Sequence, residues 1–185
     1  MRTTEIETKL VPSLSRRSFM LTAPFVLTGV TAAIAETTGA SNPDSPVKLW
    51  VDGDISVRNH GDEFVLDQRL LDELPQAEFA TSTIWTEGVH TYSGPTLQGL
   101  LDLVDAGPGD LVATALNDYR VTLDRSYIEE SAPILATRIN GKTFSVREKG
   151  PLWIIFPFDE NPRFHDEVIY AMSVWQLERL TVVGA

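Results

Sequence analysis

Short runs of apolar residues, alternating or continuous and separated by Gly, Asn and Asp, recur along most of the chain. Such runs predict β-strands joined by tight turns. The turns are predicted at Asp52-Gly53-Asp54, His60-Gly61-Asp62, Asn117-Asp118 and Asn140-Gly141. The predicted strands are "VKLWV", "EFVLD", "AEFATSTIW", "DLVATAL", "YRVTL", "PILATRI", "KTFSV", "PLWIIF" and "WQLERLTVV", and "TEGVHTYSG" is predicted to be a loop.

Two segments show helical rather than strand periodicity. Asp67 is a predicted N-cap for a helical turn that carries Leu70, Leu71 and Leu74 and stops at Pro75. Thr96 is a predicted N-cap for a helix whose leucines and Val104 recur at i, i+3, i+4 and i+7. The predicted fold class is therefore α+β, with a mixed or antiparallel β-sheet, or a barrel-like core, and two or three short helices.

The N-terminal segment predicts export. "SRRSF" begins at Ser15 and precedes a mildly apolar run, Met20 to Ala35, that ends in Ala33-Ile34-Ala35. This pattern is typical of a twin-arginine signal peptide, residues 1–35, cleaved after Ala35. The alternative is a membrane anchor, but the run is shorter than the ~20 apolar residues of a span. The polar segment 36–46 is predicted to be a flexible tether, and residues 47–185 a single domain.

The charge and the cysteine content exclude several classes of partner and of catalytic chemistry. The 185 residues carry a net charge of −11 and contain no Cys. Removal of residues 1–35 leaves 11 Lys and Arg against 24 Asp and Glu, and such a surface repels nucleic acid and anionic membranes. The lack of Cys excludes disulfides, thiolate catalysis, iron–sulfur clusters and thiolate-bound molybdenum.

Four stretches, in this order, resemble the molybdopterin-binding fold of sulfite oxidases and their small exported relatives. They are "YSGPTLQGLLDLV", "ALNDYRVTL", "PILATRINGKTFSVREKGPLWIIFP" and "SVWQLERLTV". The likeness covers roughly residues 47–183. It implies a sulfite-oxidase-like domain.

The chain departs from that family where the cofactor would be held. The catalytic members place a molybdenum-binding Cys in the strand that here reads "ATSTIWTEG", with Trp85 near the equivalent place. Trp153 and Trp175 stand where the family has an Arg and a Lys. The departures argue against molybdenum and against a phosphorylated molybdopterin. They leave a flat, neutral pterin as a candidate ligand.

The motifs "ALNDY", "KGPLW" and "SVWQL" resemble a small exported subgroup of periplasmic pterin-binding proteins. The resemblance implies that the protein is periplasmic, is not an enzyme, and binds an unphosphorylated, reduced pterin of the monapterin or biopterin type. It also implies a partner, the periplasmic domain of an inner-membrane cyclase or phosphodiesterase of cyclic di-GMP. The alternatives are a molybdopterin-dependent oxidoreductase, or a subunit of one, and a scaffold without ligand.

A pterin needs an aromatic face to stack on and a polar group for its aminopyrimidine edge. Trp85 is the first candidate for stacking, Trp175 a second, and Trp153 fits either the site or the core. Asp118 is the candidate clamp for the aminopyrimidine, with Asn117 beside it and Tyr119 in the wall. The alternative for Asn117-Asp118 is ordinary turn chemistry. Further candidates are the cationic residues Arg138, Arg147 and Lys149, which otherwise form a solvated face, and His90 as a lining residue.

Overall fold

The computed structural model describes residues 42–184. The predicted signal peptide and residues 36–41 of the predicted tether lie outside these residues. The strands are β1 (Leu49–Gly53), β2 (Phe64–Leu66), β3 (Gln76–Thr83), β4 (Thr86–Pro95), β5 (Leu111–Ala115), β6 (Arg120–Leu123), β7 (Ile134–Ala136), β8 (Arg138–Ile139), β9 (Lys142–Thr143), β10 (Trp153–Ile155) and β11 (Leu177–Val182). The helices are α1 (Gln68–Glu73), α2 (Leu97–Leu103) and α3 (Glu167–Met172), with 3₁₀ turns at Arg125–Tyr127, Val146–Glu148 and Pro162–Phe164.

The strands form three open sheets. The largest has the order β2-β1-β11-β5-β6, in which only β1 and β11 are parallel. The second is β3-β4-β8-β9, and β10 pairs with β7 in the third. The α+β class and the mainly antiparallel sheet are therefore confirmed. The barrel-like alternative was wrong, because the described strands do not close on themselves.

The main hydrophobic core lies between the five-stranded sheet and α2. Strand β1 buries Leu49 and Val51 while Trp50 and Asp52 remain partly exposed, as the two-residue period of a strand requires. Helix α2 buries Leu97, Leu100 and Leu101 on one face. A smaller cluster, which includes Tyr92, Phe144, Trp153 and Ile155, fills the space under the other two sheets.

Both predicted N-caps are present. The Thr96 hydroxyl accepts a hydrogen bond from the backbone N–H of Gly99 at 3.1 Å, and α2 begins at the next residue. Asp67 is fully buried and accepts from the N–H of Leu70 at 3.0 Å with one carboxylate oxygen. Its other oxygen accepts from the N–H groups of Asp44 and Ser45 and from the Ser45 hydroxyl. The described end of the predicted tether is thus bound to the domain.

Strand β4 corrects the prediction of a loop at "TEGVHTYSG". It pairs with β3 from Gln76↔Pro95 to Thr83↔Thr86, and Ile84 and Trp85 form the turn between them. The prediction failed because Gly88 and Gly94 indicate a loop when the partner strand is unknown. Gly94 is required by packing, since a Cβ there would lie 2.1 Å from the Leu135 carbonyl oxygen.

None of the helices found in residues 42–184 has the length and apolar character needed to cross a membrane.

Asp67 should make the stability of the domain sensitive to acid. Burial by itself raises the pKa of the carboxyl, but the four hydrogen bonds from Leu70, Asp44 and Ser45 outweigh burial and lower the pKa from 3.8 to about 2. A lowered pKa stabilises the fold above the unfolded-state value, and that contribution is lost as the pH falls towards 2. We expect Asp67→Asn to reduce the free energy of unfolding by about 2 kcal/mol at pH 7.

Urea unfolding of both proteins between pH 7 and pH 3 measures this effect. The difference between wild type and Asp67→Asn should fall by about half at pH 3. Asp124→Asn, which alters an exposed carboxylate cap on Ser126, is the matched control and should cost clearly less. A deficit for Asp67→Asn that does not change with pH would contradict this account.

Candidate functional site

A cavity of about 330 Å³ opens between four segments that are distant in sequence. They are the tip of the β3–β4 hairpin, the β5–β6 loop, the end of α3 and the chain that follows α3. The volume is in the range of small-molecule sites. The cavity is lined by Trp85, Ala115, Asn117, Tyr119, Tyr170, Ala171, Ser173, Val174 and Trp175.

The structure brings together four of the ten predicted site residues. Trp85, Asn117, Tyr119 and Trp175 line the cavity. The other six are not part of its wall: His90, Asp118, Arg138, Arg147, Lys149 and Trp153. The residues that the structure brings together are thus three aromatic residues and Asn117, and the predicted charged residues lie outside the lining.

The two tryptophans of the cavity wall, Trp85 and Trp175, pack edge to face against each other and against the buried Trp153 behind them. The ring centroids of Trp85 and Trp175 are 5.5 Å apart at 79° between the ring planes. Trp153 lies 5.7 Å from Trp85 and 6.1 Å from Trp175 in similar geometry. This is the favoured arrangement for aromatic quadrupoles, and each pair contributes about 0.5–1.5 kcal/mol beyond its buried area. These contacts hold the two lining indoles in position.

Trp153 belongs to the core rather than to the cavity surface. It is fully buried on β10, and its indole N–H donates to the Ser173 carbonyl at 3.1 Å. The next residue of β10, Ile154, donates its backbone N–H to the Val174 carbonyl at 2.9 Å. These two bonds hold the chain after α3 against β10 and set the position of Trp175. Trp153 thus acts from behind the wall.

The β5–β6 loop presents Asn117 to the cavity and turns Asp118 away. Asp118 donates its N–H to the Ala115 carbonyl at 3.0 Å and has a φ of 64°. Asn117 is not among the residues of positive φ, so the loop is not a type I′ turn. It is a three-residue loop, Leu116 to Asp118, in which Asp118 occupies the left-handed position usually held by Gly. Asp118 is exposed and does not line the cavity, so the structure does not bring it together with Trp85, and its role as a clamp stays a prediction.

Tyr119 connects the loop to α3 across the cavity. The Asn117 side-chain oxygen accepts from the Tyr119 N–H at 3.1 Å, and the Tyr119 hydroxyl donates to the Ala171 carbonyl at 3.4 Å. The Ala171 carbonyl lies in the last turn of α3, where carbonyls lack helical partners. The Tyr119 side chain remains half exposed.

Tyr170 is the aromatic residue among the five lining residues that were not predicted, and the other four are Ala115, Ala171, Ser173 and Val174. The ring of Tyr170 lies 5.9 Å from Trp85 and 5.2 Å from Phe158. Tyr170 was missed because no helix was predicted around residues 167–172. The signal was present, since Asp166 is an N-cap that accepts from the Val168 N–H at 2.7 Å and Glu167 follows in the first turn.

Lys149 is the predicted cation nearest to the wall. Its ammonium nitrogen lies 5.9 Å from the centroid of the Trp175 ring, which is a cation–π distance. No carboxylate in residues 42–184 lies within ion-pair distance of it. Arg147 is exposed on the preceding 3₁₀ turn and does not contact the cavity.

Arg138 and His90 lie on the four-stranded sheet, away from the cavity wall. Arg138 forms two hydrogen bonds to Asp72, at 2.9 and 3.1 Å, and this contact lowers the pKa of that carboxyl. His90 contacts the Glu87 carbonyl at 3.0 Å and the Asn140 amide at 2.9 Å. Both residues make contacts outside the cavity lining, and their predicted roles in ligand binding stay predictions.

The site is thus an uncharged, aromatic cavity with a few polar groups at its edge. The polar side chains of the described lining are those of Asn117, Ser173, the two tyrosines and the two tryptophans. The Ser173 hydroxyl is already used, because it donates to the Ile169 carbonyl at 2.9 Å. No group of three His, Asp or Glu side chains arranged to hold a metal ion occurs within residues 42–184. Such a cavity suits a small, planar, neutral molecule.

In comparisons with protein-family models and with curated proteins, no match to this chain was found.

Substitution of Trp153, which packs behind the cavity wall, should lower the free energy of unfolding of the domain. Trp153→Phe removes buried volume and leaves the Ser173 carbonyl without its donor, so we expect a loss of about 2–3 kcal/mol in the free energy of unfolding. Trp50→Phe, a partly exposed tryptophan on β1, is the matched control and should lose less. Urea denaturation measures both, and equal losses would show that the buried indole N–H carries no special weight.

Proposed function

We propose that this protein is a periplasmic, non-catalytic pterin-binding protein that regulates a membrane-bound enzyme of cyclic di-GMP turnover. The observation that carries the proposal is the cavity of about 330 Å³ with Trp85 and Trp175 in its wall. Tyr119 and Tyr170 add two further rings. The proposal also rests on the resemblance of "ALNDY", "KGPLW" and "SVWQL" to exported pterin-binding proteins, and on the twin-arginine export pattern.

A pterin suits this lining for energetic reasons. The pteridine ring is flat and π-rich, and stacking of a nucleobase-like ring on an aromatic side chain contributes about 1–3 kcal/mol. Because Trp85 and Trp175 already pack against each other and against Trp153, less side-chain ordering is required on binding, which preserves more of that energy. Ala115 and Ala171 are small, and they leave width for a bicyclic ring between the tyrosines and tryptophans.

The absence of charge in the wall favours a ligand without phosphate. No Asp, Glu, Lys or Arg is among the described residues that line the cavity. A phosphate group would require Arg, Lys or backbone N–H donors, since burial of an unpaired anion is costly. Trp153 and Trp175 occupy the places where the resembling family carries cations. An unphosphorylated, reduced pterin of the monapterin or biopterin type meets these conditions, and no molybdenum is needed.

Regulation follows if a partner contacts the rim of the cavity. Leu116 lies in the β5–β6 loop and is 46% exposed, and Tyr119, which directly follows the loop, is 47% exposed. A ligand that touches Tyr119 and Asn117 from inside alters the loop that a partner touches from outside. The effect on the partner equals the difference in ligand affinity between the free and the docked protein. The proposed partner is the periplasmic domain of an inner-membrane cyclase or phosphodiesterase.

Pterin binding is tested first by calorimetry on the purified, exported protein. We expect reduced monapterin or biopterin to bind with a micromolar Kd. Trp85→Ala should raise the Kd about 10- to 100-fold through loss of stacking. Trp50→Ala, which removes an indole far from the lining residues, should leave the Kd unchanged.

Circular dichroism of both variants controls for unfolding. Failure of every pterin to bind the folded wild type would contradict the proposal. Stoichiometric molybdenum in protein isolated from its own periplasm would instead favour the oxidoreductase alternative.

Regulation is tested with the periplasmic domain of a cyclase or phosphodiesterase taken from the same cell. We expect saturating pterin to change the Kd of the two proteins at least fivefold, and the partner to change the pterin Kd by the same factor because linkage is reciprocal. Leu116→Asp should weaken docking while pterin still binds. Identical docking with and without pterin would leave a binding protein without the sensor role.

A further inference from the structure

We infer that the cavity recognises an acceptor edge of its ligand: the Asn117 side-chain amide donates to a carbonyl oxygen of the pteridine ring, and the 2-amino group is not read by a carboxylate. This inference rests on the proposed function and specifies the class of ligand. The preferred class includes 2,4-dioxopteridines, in which the 2-amino group is replaced by a second carbonyl.

The orientation of the Asn117 amide is fixed by its neighbour. Its oxygen accepts from the Tyr119 backbone N–H at 3.1 Å, and the reverse orientation would point donors at a donor. The Nδ2 group is therefore the part of this side chain left for a ligand, and it carries two N–H donors. It forms no hydrogen bond with any residue from 42 to 184.

A carboxylate that would match an aminopyrimidine edge is missing from the described lining. The N3–H and 2-amino groups of a pterin form a parallel donor pair, which a carboxylate matches. Asp118 is exposed outside the cavity, and neither Asp nor Glu lines it. The hydroxyls of Tyr119 and Ser173 donate to the carbonyls of Ala171 and Ile169, and the Tyr170 hydroxyl lies 3.5 Å from Nδ1 of His165. Each hydroxyl offers a single neutral oxygen and not a parallel pair.

Lys149 also favours a ligand that presents carbonyl oxygens at the edge of the cavity. Its ammonium lies 5.9 Å from the Trp175 ring centroid and forms no ion pair within the described part of the chain. The positive potential beside a lining residue favours the carbonyl side of a heterocycle over its amino side. Donors thus come from two separate segments.

Two ring systems that differ at C2, and in the hydrogen that the second carries on N1, test the inference. Pterin is 2-amino-4-oxopteridine and lumazine is 2,4-dioxopteridine, so their stacking surfaces are nearly the same. We expect calorimetry on the wild-type protein to give lumazine a Kd equal to or lower than that of pterin. A site built around the 2-amino group would instead reject lumazine, because its buried acceptors would lose their donors.

The Asn117→Asp variant should reverse the preference for lumazine over pterin. The new carboxylate retains an oxygen for the Tyr119 N–H and replaces the Nδ2 donors with a second acceptor. The ratio of the lumazine Kd to the pterin Kd should rise at least tenfold in this variant. Asp118→Asn is the matched control: it makes the opposite change of one charge at the adjacent residue outside the cavity, and the ratio should stay within about twofold.

The outcomes separate the two proposals. Equal or tighter lumazine binding, with reversal in Asn117→Asp, supports the inference. Pterin binding tenfold tighter than lumazine in the wild type overturns the inference and leaves the proposed function standing. A wild-type protein that binds neither of these rings but still binds reduced monapterin or biopterin overturns the inference alone. A wild-type protein that binds none of the four contradicts the proposed function, and the inference fails with it. The wild-type comparison decides the matter even if the variant does not fold.

Discussion

The candidate site depends on the satisfaction of one buried donor, the indole N–H of Trp153. A buried N–H without a partner costs about 1–3 kcal/mol, so the Ser173 carbonyl must remain opposite it. That requirement holds the chain after α3 against β10, and Trp175 is then 5.5 Å from Trp85. The cavity is the space left when the β5–β6 loop and α3 meet this fixed wall. Its shape therefore derives from core packing.

A wall of this kind binds differently from one made of charges. Ion pairs and phosphate clamps depend on salt, whereas stacking depends on shape and on the exclusion of water. A strongly acidic chain that lined its site with cations would also hold those cations in ion pairs with its own carboxylates, as Arg138 and Arg163 are held here. Indole rings avoid this competition. The aromatic lining and the net negative surface are thus compatible in one small domain.

Local chemistry was predictable from the sequence, and contacts between distant segments were not. The Asp67 and Thr96 caps and the Asn140-Gly141 turn follow from side chains that act on their own backbone neighbours. Trp85, Trp175 and Tyr119 could be nominated as lining residues because their surroundings departed from a resembling family. The side to which Asp118 points could not be predicted. A two-residue and a three-residue loop differ by one step of register between β5 and β6, and pairing along the whole hairpin sets that step.

The sequence patterns did not predict strand β4 or helix α3, and the two reasons are related. The glycines of β4 indicate a loop until β3 and the Leu135 carbonyl are placed beside them. Helix α3 spans six residues, too few for a clear period of 3.6 to emerge. Because that helix was not predicted, Tyr170 was not predicted as a lining residue either. The part of the site built by tertiary contact was accordingly the part that sequence patterns described least well.

The place of β11 in the largest sheet has a consequence for the rate of folding. This strand is the last of the described strands in chain order, and it lies between β1 and β5 and joins the β1–β2 pair to the β5–β6 hairpin. The two hairpins share no ladder with each other, so the sheet stays in two halves until β11 enters between them. That step pairs residues as distant in sequence as Trp50 and Arg179, and long-range pairing of this kind is slow.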